Sequence, residues 1–408
     1  MADSASAYEY LYAIPEVYIQ GISSGFINQL TPVEVILGES LLTPGLQTFV
    51  RCEALTSSRP TRNFDELKGK TLNMKIQRKV LAEFGINDTF KLAQTIYRVA
   101  DRKMTTPNTE EFLIQACDHT LLEDAASLVS KSWKCTPPHS VVSDVLRSCA
   151  GAKLLDIESC GPARDYVAEN IHPFQVVAQQ CNVALAGGTD PSFIHYMTFG
   201  GGVAGEEGIH HFRSLKELTA QSVTTEFYYA EVPERYGNPH NILFHSFPCD
   251  FDLLSDILNG VNAAGKDINS ATLWNPITNT FSLFGSQVLG CGIGEANIRA
   301  GQTNSGSEQY QQGCPDFSYL YLPKRQARMA LLEQDKIALR LTVPWNPELH
   351  AGKVIRAWFK NTHEDDKIVW NYGTGDYLIS SLTHKIKRGG VASTTMDCVS
   401  TTVGRGVQ

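Results

Sequence analysis

The chain has 408 residues, more than one hydrophobic core usually serves, so roughly two to four domains are expected. Hydrophobic residues make up 42% and charged residues 19%, which excludes compositional disorder, and a net charge of −8 argues against a protein that grips phosphates with a concentrated basic face. No run approaches the roughly 20 apolar residues of a bilayer span, and Met1 to Tyr10 lacks the basic and apolar regions of a signal peptide, so no membrane-spanning segment and a cytoplasmic site of synthesis are expected.

From Thr31 to Asp118 the pattern has period two, the mark of half-buried strands. Leu72, Met74 and Ile76 fall on one face and Asn73, Lys75 and Gln77 on the other; Val33, Val35 and Leu37 precede Gly38, Thr43-Pro-Gly45 supplies a turn, and Phe112, Ile114 and Ala116 continue the alternation. Residues 1–118 are therefore read as a compact antiparallel β module. Residues 119–222 change period and predict an α+β region. Phe174, Val177, Ala178, Cys181, Ala184 and Leu185 follow helical spacing between Pro173 and the Gly187-Gly188 stop. A second helix is expected over 140–150, with Val142, Val145, Leu146 and Cys149 inward. Ser214 is expected to cap a short helix through Leu218, with Glu217 completing a capping box.

Over 223–334, strands are expected at 224–231 and 241–247, a short helix at 250–258 with Phe251, Leu254 and Ile257 on one stripe, a long surface excursion over 285–313, and a helix over 324–334. Residues 335–408 read as a second β module: Ile337, Leu339, Leu341 and Val343 alternate up to Pro344, and Leu378, Leu382, His384 and Ile386 form the apolar side of a later strand. Four strands are expected at 336–343, 353–359, 376–386 and 391–402, with Gly389-Gly390 turning between the last two. The fold class is α+β, mainly β: two antiparallel modules enclosing a mixed insertion.

The reactive-looking residues form no catalytic constellation. His210-His211 lie beside Glu206-Glu207, but adjacent strand residues point to opposite sides, and the His-Glu-x-x-His spacing is absent; both histidines read as loop or strand-end polar residues. Gly290-Cys-Gly-Ile-Gly294 lacks the Lys-Ser/Thr ending of a phosphate loop, Cys291 and Cys314 have no base supplied by sequence, and Asp365-Asp366 reads as a solvated turn. The ten cysteines show no Cys-x-x-Cys pair and read as reduced, mostly buried thiols. No catalytic, cofactor-binding or metal residue is assigned. Trp345, Trp358 and Trp370 offer a sugar platform to a carbohydrate-binding module, although Trp358 in an alternating strand reads as core.

Certain segments, in their order, resemble the baseplate hub, or tube-initiator, proteins of contractile-tailed phages and related injection systems. Val33-Glu-Val-Ile-Leu-Gly-Glu-Ser40 and Asn63-Phe-Asp-Glu-Leu-Lys-Gly-Lys70 resemble the opening tube-like barrel. Leu128-Val-Ser-Lys-Ser-Trp133, Ser143-Asp-Val-Leu146, Asn170-Ile-His-Pro-Phe174 and Phe212-Arg-Ser-Leu215 follow in the order of the region between barrels. Gly375-Asp-Tyr-Leu-Ile-Ser-Ser-Leu-Thr-His-Lys-Ile386 resembles the closing strand pair of the second barrel. The likeness runs from Val33 to Thr402, with nothing matched between Asn259 and Gln312.

The resemblance implies two tube-like β-barrels per chain and a homotrimer whose barrels form a pseudo-sixfold ring. That ring would join a sixfold tail tube protein to a threefold central spike protein, with the tape measure protein and baseplate wedge proteins as further partners. Genomic DNA would touch the lumen passively, and a lumen suited to passage would be neutral to acidic. The implied place is the phage tail baseplate of a virion assembled in the host cytoplasm, with a structural role and no cofactor. A receptor- or carbohydrate-binding tail module, or a cell-wall hydrolase component, is the alternative.

Overall fold

The computed structural model describes residues 12–19, 30–55, 67–79, 89–188, 190–200, 207–229, 239–248, 272–275, 280–283, 325, 329, 332, 337–362, 368–370, 373–388 and 391–400. The first β module comprises β1 (Tyr12–Ile19), β2 (Thr31–Ser40), β3 (Gln47–Leu55), β4 (Thr71–Lys79), β5 (Thr89–Thr106) and β6 (Thr109–Cys117). The insertion holds α1 (His119–Ala126), β7 (Val129–Thr136), α2 (Pro138–Ser148), β8 (Leu154–Ile157), β9 (Arg164–Ile171), α3 (Pro173–Val183), β10 (Phe193–Thr198), β11 (Ile209–Ser214) and α4 (Leu215–Thr219). Then come β12 (Thr225–Tyr229), β13 (Phe244–Ser246), the separate hairpin β14 (Thr272–Asn275) and β15 (Thr280–Leu283), β16 (Leu339–Pro344), β17 (Val354–Thr362), β18 (Ile368–Trp370), β19 (Gly375–Lys387) and β20 (Ala392–Val399).

Both modules belong to one 13-stranded sheet in the order β1-β4-β5-β6-β3-β2-β19-β20-β16-β13, with β17 joining β19 to β12 and β18. The crossing point is the antiparallel pair of β2 with β19, where Leu37 faces His384 and Val35 faces Ile386. Alternation explains the cores on either side. Val35, Leu37, Val50, Leu72, Met74, Ile76, Phe90, Phe112 and Ile114 are buried in the first, and Leu339, Leu341, Val343, Ile355, Phe359, Met396 and Cys398 in the second. Each large apolar side chain so buried contributes about 1.5–3 kcal/mol. β12 is parallel to β17, an exception to the antiparallel pattern.

In the insertion, α2 and α3 pack Val142, Leu146, Phe174 and Val177 over Phe193 and Phe212 of the β10-β11-β8 sheet. Pro138 and Pro173 start their helices, where a missing N–H leaves no bond unmade. α3 ends at Val183, short of the expected Ala186, and Gly187 and Gly188 follow with φ of 55° and 77°. Its inner face is also turned: Ala178 is exposed, while Val176 and Gln180 are buried. Cys149 is only half-buried.

Several expectations need correction. β1 was not foreseen; Pro15, which cannot donate to a ladder, sits in a strand that, among the described residues, pairs with β4 alone at the sheet edge. β18 was likewise missed. Ser380 is an extra residue in β19, with register passing from Ile379↔Cys398 to Ser381↔Asp397. The bulge puts Tyr377 and Ile379 in the core with Leu382, and sends the expected Leu378 to the other side with Val354 and Val399. Ser214 caps α4 through its side-chain oxygen, but its own N–H donates to Glu158 rather than to Glu217, so the reciprocal half of the capping box is absent. Cys135 is disulfide-bonded, contrary to the all-thiol reading, while Cys52, Cys117, Cys149, Cys160, Cys181 and Cys398 are free.

The expected helix at 250–258 and the excursion over 285–313 lie outside the described residues; of the helix at 324–334, Arg325 and Met329 are described and helical. Gly389-Gly390 also lies outside them, although β19 and β20 form the hairpin that turn was expected to close. Among the described residues no helix is long and apolar enough to cross a membrane.

Candidate functional site

The sheet has a second face, turned away from the two cores, and it continues without a break across the seam. One row of directly paired residues runs Gln115, Phe49, Ile36, Lys385, Ser393 through β6, β3, β2, β19 and β20. The next runs Gln47, Gly38, Thr383, Thr395, Thr342, with the Thr395 and Thr342 hydroxyls 3.1 Å apart. Charge on this face is paired across strands: Arg51 to Glu111 at 2.9 Å, Lys103 to Glu111 at 3.4 Å, Lys385 to Glu34 at 3.0 Å, Arg388 to Glu53 at 2.6 Å and Arg340 to Asp397 at 2.6 Å. Such exposed pairs are worth at most about 1 kcal/mol each, so their main effect is to neutralise the face locally. Over the seam, Ile36, Phe49, Leu121 and Phe174 line a cleft of about 500 Å³ together with Gln47, Ser381 and Thr383.

The seam is pinned from the core side by Glu39, whose carboxylate is fully buried. One of its oxygens accepts from the Phe199 N–H at 2.8 Å and from His350 Nδ1 at 2.9 Å, and the other from the Ala351 N–H at 2.8 Å. One side chain thus ties β2 to the insertion and to the turn before β17. Burial drives its pKa up, but the charge and hydrogen bond of His350, the Phe199 N–H and His384 outweigh it and hold the carboxyl below its ordinary value. Burial pushes His384 down to about 4 against the pull of Glu39, and His384 Nδ1 lies 2.8 Å from Thr394 Oγ1. Trp345 crosses the same boundary: it is buried in the first core, edge-on to Phe90 with ring centroids 6.3 Å apart. Beside it, Arg78 Nη1 of β4 donates to Asn346 Oδ1 at 3.1 Å.

The residues singled out in sequence do not converge. His210 and His211 lie inside β11, not at a loop or strand end, and they do point to opposite sides. His210 is fully buried; its Nδ1 is 3.1 Å from His195 Nε2 and its Nε2 3.1 Å from Thr120 Oγ1, and burial pushes its pKa down to about 4. His211 lies with Nδ1 2.8 Å from Asp156 and Nε2 2.8 Å from Thr198 Oγ1. Glu207 pairs with Lys153, and Glu206 lies outside the described residues. So do Gly290–Gly294, Cys291, Cys314, Asp365 and Asp366. Burial pushes the thiols of Cys52, Cys160 and Cys181 up to about 12, which keeps them protonated and poorly nucleophilic. Among the described residues no group of three or more His, Cys, Asp or Glu could hold a metal ion.

Trp345 is core rather than sugar platform, and the core expectation for Trp358 fails. Trp358 stands half-buried on the outer side of β17, donates to Glu226 at 3.1 Å and stacks with Tyr228. Trp370 belongs to β18, and β17, β19 and β20 lie between it and β16, the strand that ends just before Trp345.

No protein-family model matches the sequence, and no curated protein matches it. Among solved structures, the tail protein from Neisseria meningitidis MC58 aligns over 96% of this chain and 99% of its own, with TM-score 0.53 and 10% identity. The chain has the fold of this tail protein. Two looser alignments are with the 43 kDa tail protein of prophage MuSo2 from Shewanella oneidensis (TM-score 0.49, 8% identity, 97% and 99% coverage) and with an Escherichia coli type VI secretion component described as similar to T4 bacteriophage tail proteins (TM-score 0.46, 11% identity, 96% and 79% coverage).

Within this tail-protein fold, the residues that sequence reasoning passed over are Glu39, His350, Arg78 and Asn346. Glu39 left a signal: it is in phase with Val35 and Leu37, so an acidic residue stood at a position that alternation assigns to the core. His350, Arg78 and Asn346 left none, because each matters only through a partner distant in sequence.

Proposed function

We propose that the chain is a structural, non-enzymatic protein of a phage-type tail: a homotrimeric baseplate hub that joins the tail tube protein to the central spike protein. The observation that carries this reading is the single sheet that runs through both β modules, which supports reading each module as one tube-wall segment. Three protomers would set six such segments in a ring, matching a sixfold tube on one side and a threefold spike on the other. In this reading residues 1–118 and 335–408, with strands from 223–334, are the tube-like domains and residues 119–222 the insertion. The tape measure protein and baseplate wedge proteins are further partners, and the protein resides in the virion tail after assembly in the host cytoplasm.

The outer sheet face is the segment proposed to line the DNA conduit. Its charges are mixed rather than acidic, but Arg51, Lys103, Arg340, Lys385 and Arg388 are held by carboxylates, which lowers their attraction for phosphate. Light scattering on the purified protein, alone and with tube protein, together with electron-microscopic class averages, tests the assembly. A trimer with threefold averages is expected; a monomer at high micromolar concentration in both conditions would sink the proposal. DNA retention at low salt should be weak, and tight binding that falls steeply with salt would defeat the conduit role.

A further inference from the structure

The joint between the insertion and the second β module contains a carboxyl pair that the hub reading does not use. Glu158, just after β8, accepts from the Ser214 N–H at 2.6 Å through one oxygen and from the Ser214 hydroxyl at 3.0 Å through the other. Glu217, on the first turn of α4, receives Arg213 on Oε1, while its Oε2 is buried with no donor. The two acidic side chains nonetheless lie within hydrogen-bonding reach of each other. Two carboxylates cannot hydrogen-bond without a proton, and a buried oxygen without a donor costs about 1–3 kcal/mol.

We propose that Glu158 and Glu217 share one proton, forming a carboxyl–carboxylate clasp that fastens the start of α4 to the insertion sheet and opens when that proton is lost. The clasp lies at a junction. Leu215 and Leu218 of α4 pack with Val354, Leu378 and Val399 of the second module. Beyond α4, Gln221 Nε2 donates to Gly352 O at 3.3 Å and the Thr224 N–H to Val354 O at 2.8 Å. The surrounding charges are accounted for: Arg213 also binds Asp156 at 3.0 Å, Asp156 is held by His211, and Tyr196 of β10 and Cys160 complete the titratable neighbours. Among the described residues the cation on Glu217, Arg213, is thus shared with a second carboxylate and does not neutralise the pair.

Burial, then the contact with Glu217, raises the Glu158 carboxyl to about 7, against the donors from Ser214. A raised folded-state value means stabilisation that is present at low pH and lost as pH rises through that value. Full expression of the shift would weaken the clasp about tenfold between pH 6 and pH 8.5, and solvent at the half-exposed Glu158 lowers the expectation to about three- to fivefold.

The test is hydrogen exchange of the peptide spanning 215–221 in the full chain, corrected for intrinsic exchange, at pH 6 and pH 8.5. Wild type should lose protection by about that factor, whereas Glu158→Gln, whose amide can donate to Glu217 without a titrating proton, should be protected equally at both. Equal protection of the wild type at both pH values, or an undiminished pH effect in Glu158→Gln, overturns the clasp. Carbon-13 titration of the carboxyls in the wild-type protein gives a check independent of any variant: one proton should stay on the pair above pH 6, and both groups ionising in the ordinary range would refute it. Trimer formation plays no part in these readouts, so their failure is distinct from failure of the hub reading.

Discussion

Replacing Glu39 by alanine would leave three buried donors facing an empty space: the N–H groups of Phe199 and Ala351, and His350 Nδ1. An orphaned buried amide costs about 1–3 kcal/mol, so the two backbone groups alone predict a loss of about 4 kcal/mol, with His350 adding to it if it cannot rotate towards solvent. Glu39→Gln keeps an acceptor for one amide but sets an NH2 group against another donor, and should lose about half as much. Urea unfolding at pH 7.5 measures the global loss, and native-state exchange of the Phe199 and Ala351 amides reads the local one. Both amides should be protected in wild type and released together in Glu39→Ala. A loss under about 0.5 kcal/mol with both amides still protected would refute the view that one carboxylate holds the three parts of the chain together.

Trp345→Ala should cost about 3–5 kcal/mol, because it empties a site in the first core, whereas Trp358→Ala on the outer face should stay within about 1 kcal/mol; similar losses in urea unfolding would contradict that placement. Gly352 has φ +84° and no room for a side chain, since an added Cβ would lie 2.5 Å from Tyr196 Oη, so Gly352→Ala should lose about 2 kcal/mol or more and disturb the near-ultraviolet signal of tyrosine. Burial pushes both His210 and His384 down to about 4. A depressed imidazole value means stability present above the unfolded value and lost as pH falls towards 4, about 2 kcal/mol per histidine by pH 5, so a urea midpoint flat from pH 7 to pH 5 would be the contrary result. Replacing His210 and His211 together by alanine should lower stability without abolishing any hydrolysis of peptidoglycan, and an activity that vanishes in that variant would reopen the enzymatic reading.

What could be read in the sequence was local. Leu72-Met74-Ile76 and Leu339-Leu341-Val343 declared their buried faces because a strand repeats every two residues, and Pro173 marked a helix start because proline fits the first turn, whereas α2 begins at Pro138, two residues before the expected 140. Phase failed where one residue changed it: the Ser380 bulge reversed the sides of Leu378 and Ile379. Pro15 concealed β1, since proline argues against a strand until the strand is known to be an edge. Trp345 and Trp358 exchanged expected places because burial of an aromatic residue depends on what crosses over it. The Glu39 junction was visible only as an acid in a core phase; His350 and Phe199, which make sense of it, are partners that no period predicts.

The seam also dictates an order of events during biosynthesis. β2 is made long before its partner β19, which follows more than three hundred residues later in the chain. Until then one side of β2 is a bare row of amides and carbonyls, and Glu39 waits for two of its three donors. Closure of so long a loop is slow, and an open strand edge invites pairing with other chains. Prematurely terminated translation products that end before Gly375 should therefore aggregate through β2, leaving β19 to act as the chain's own guard against misassembly.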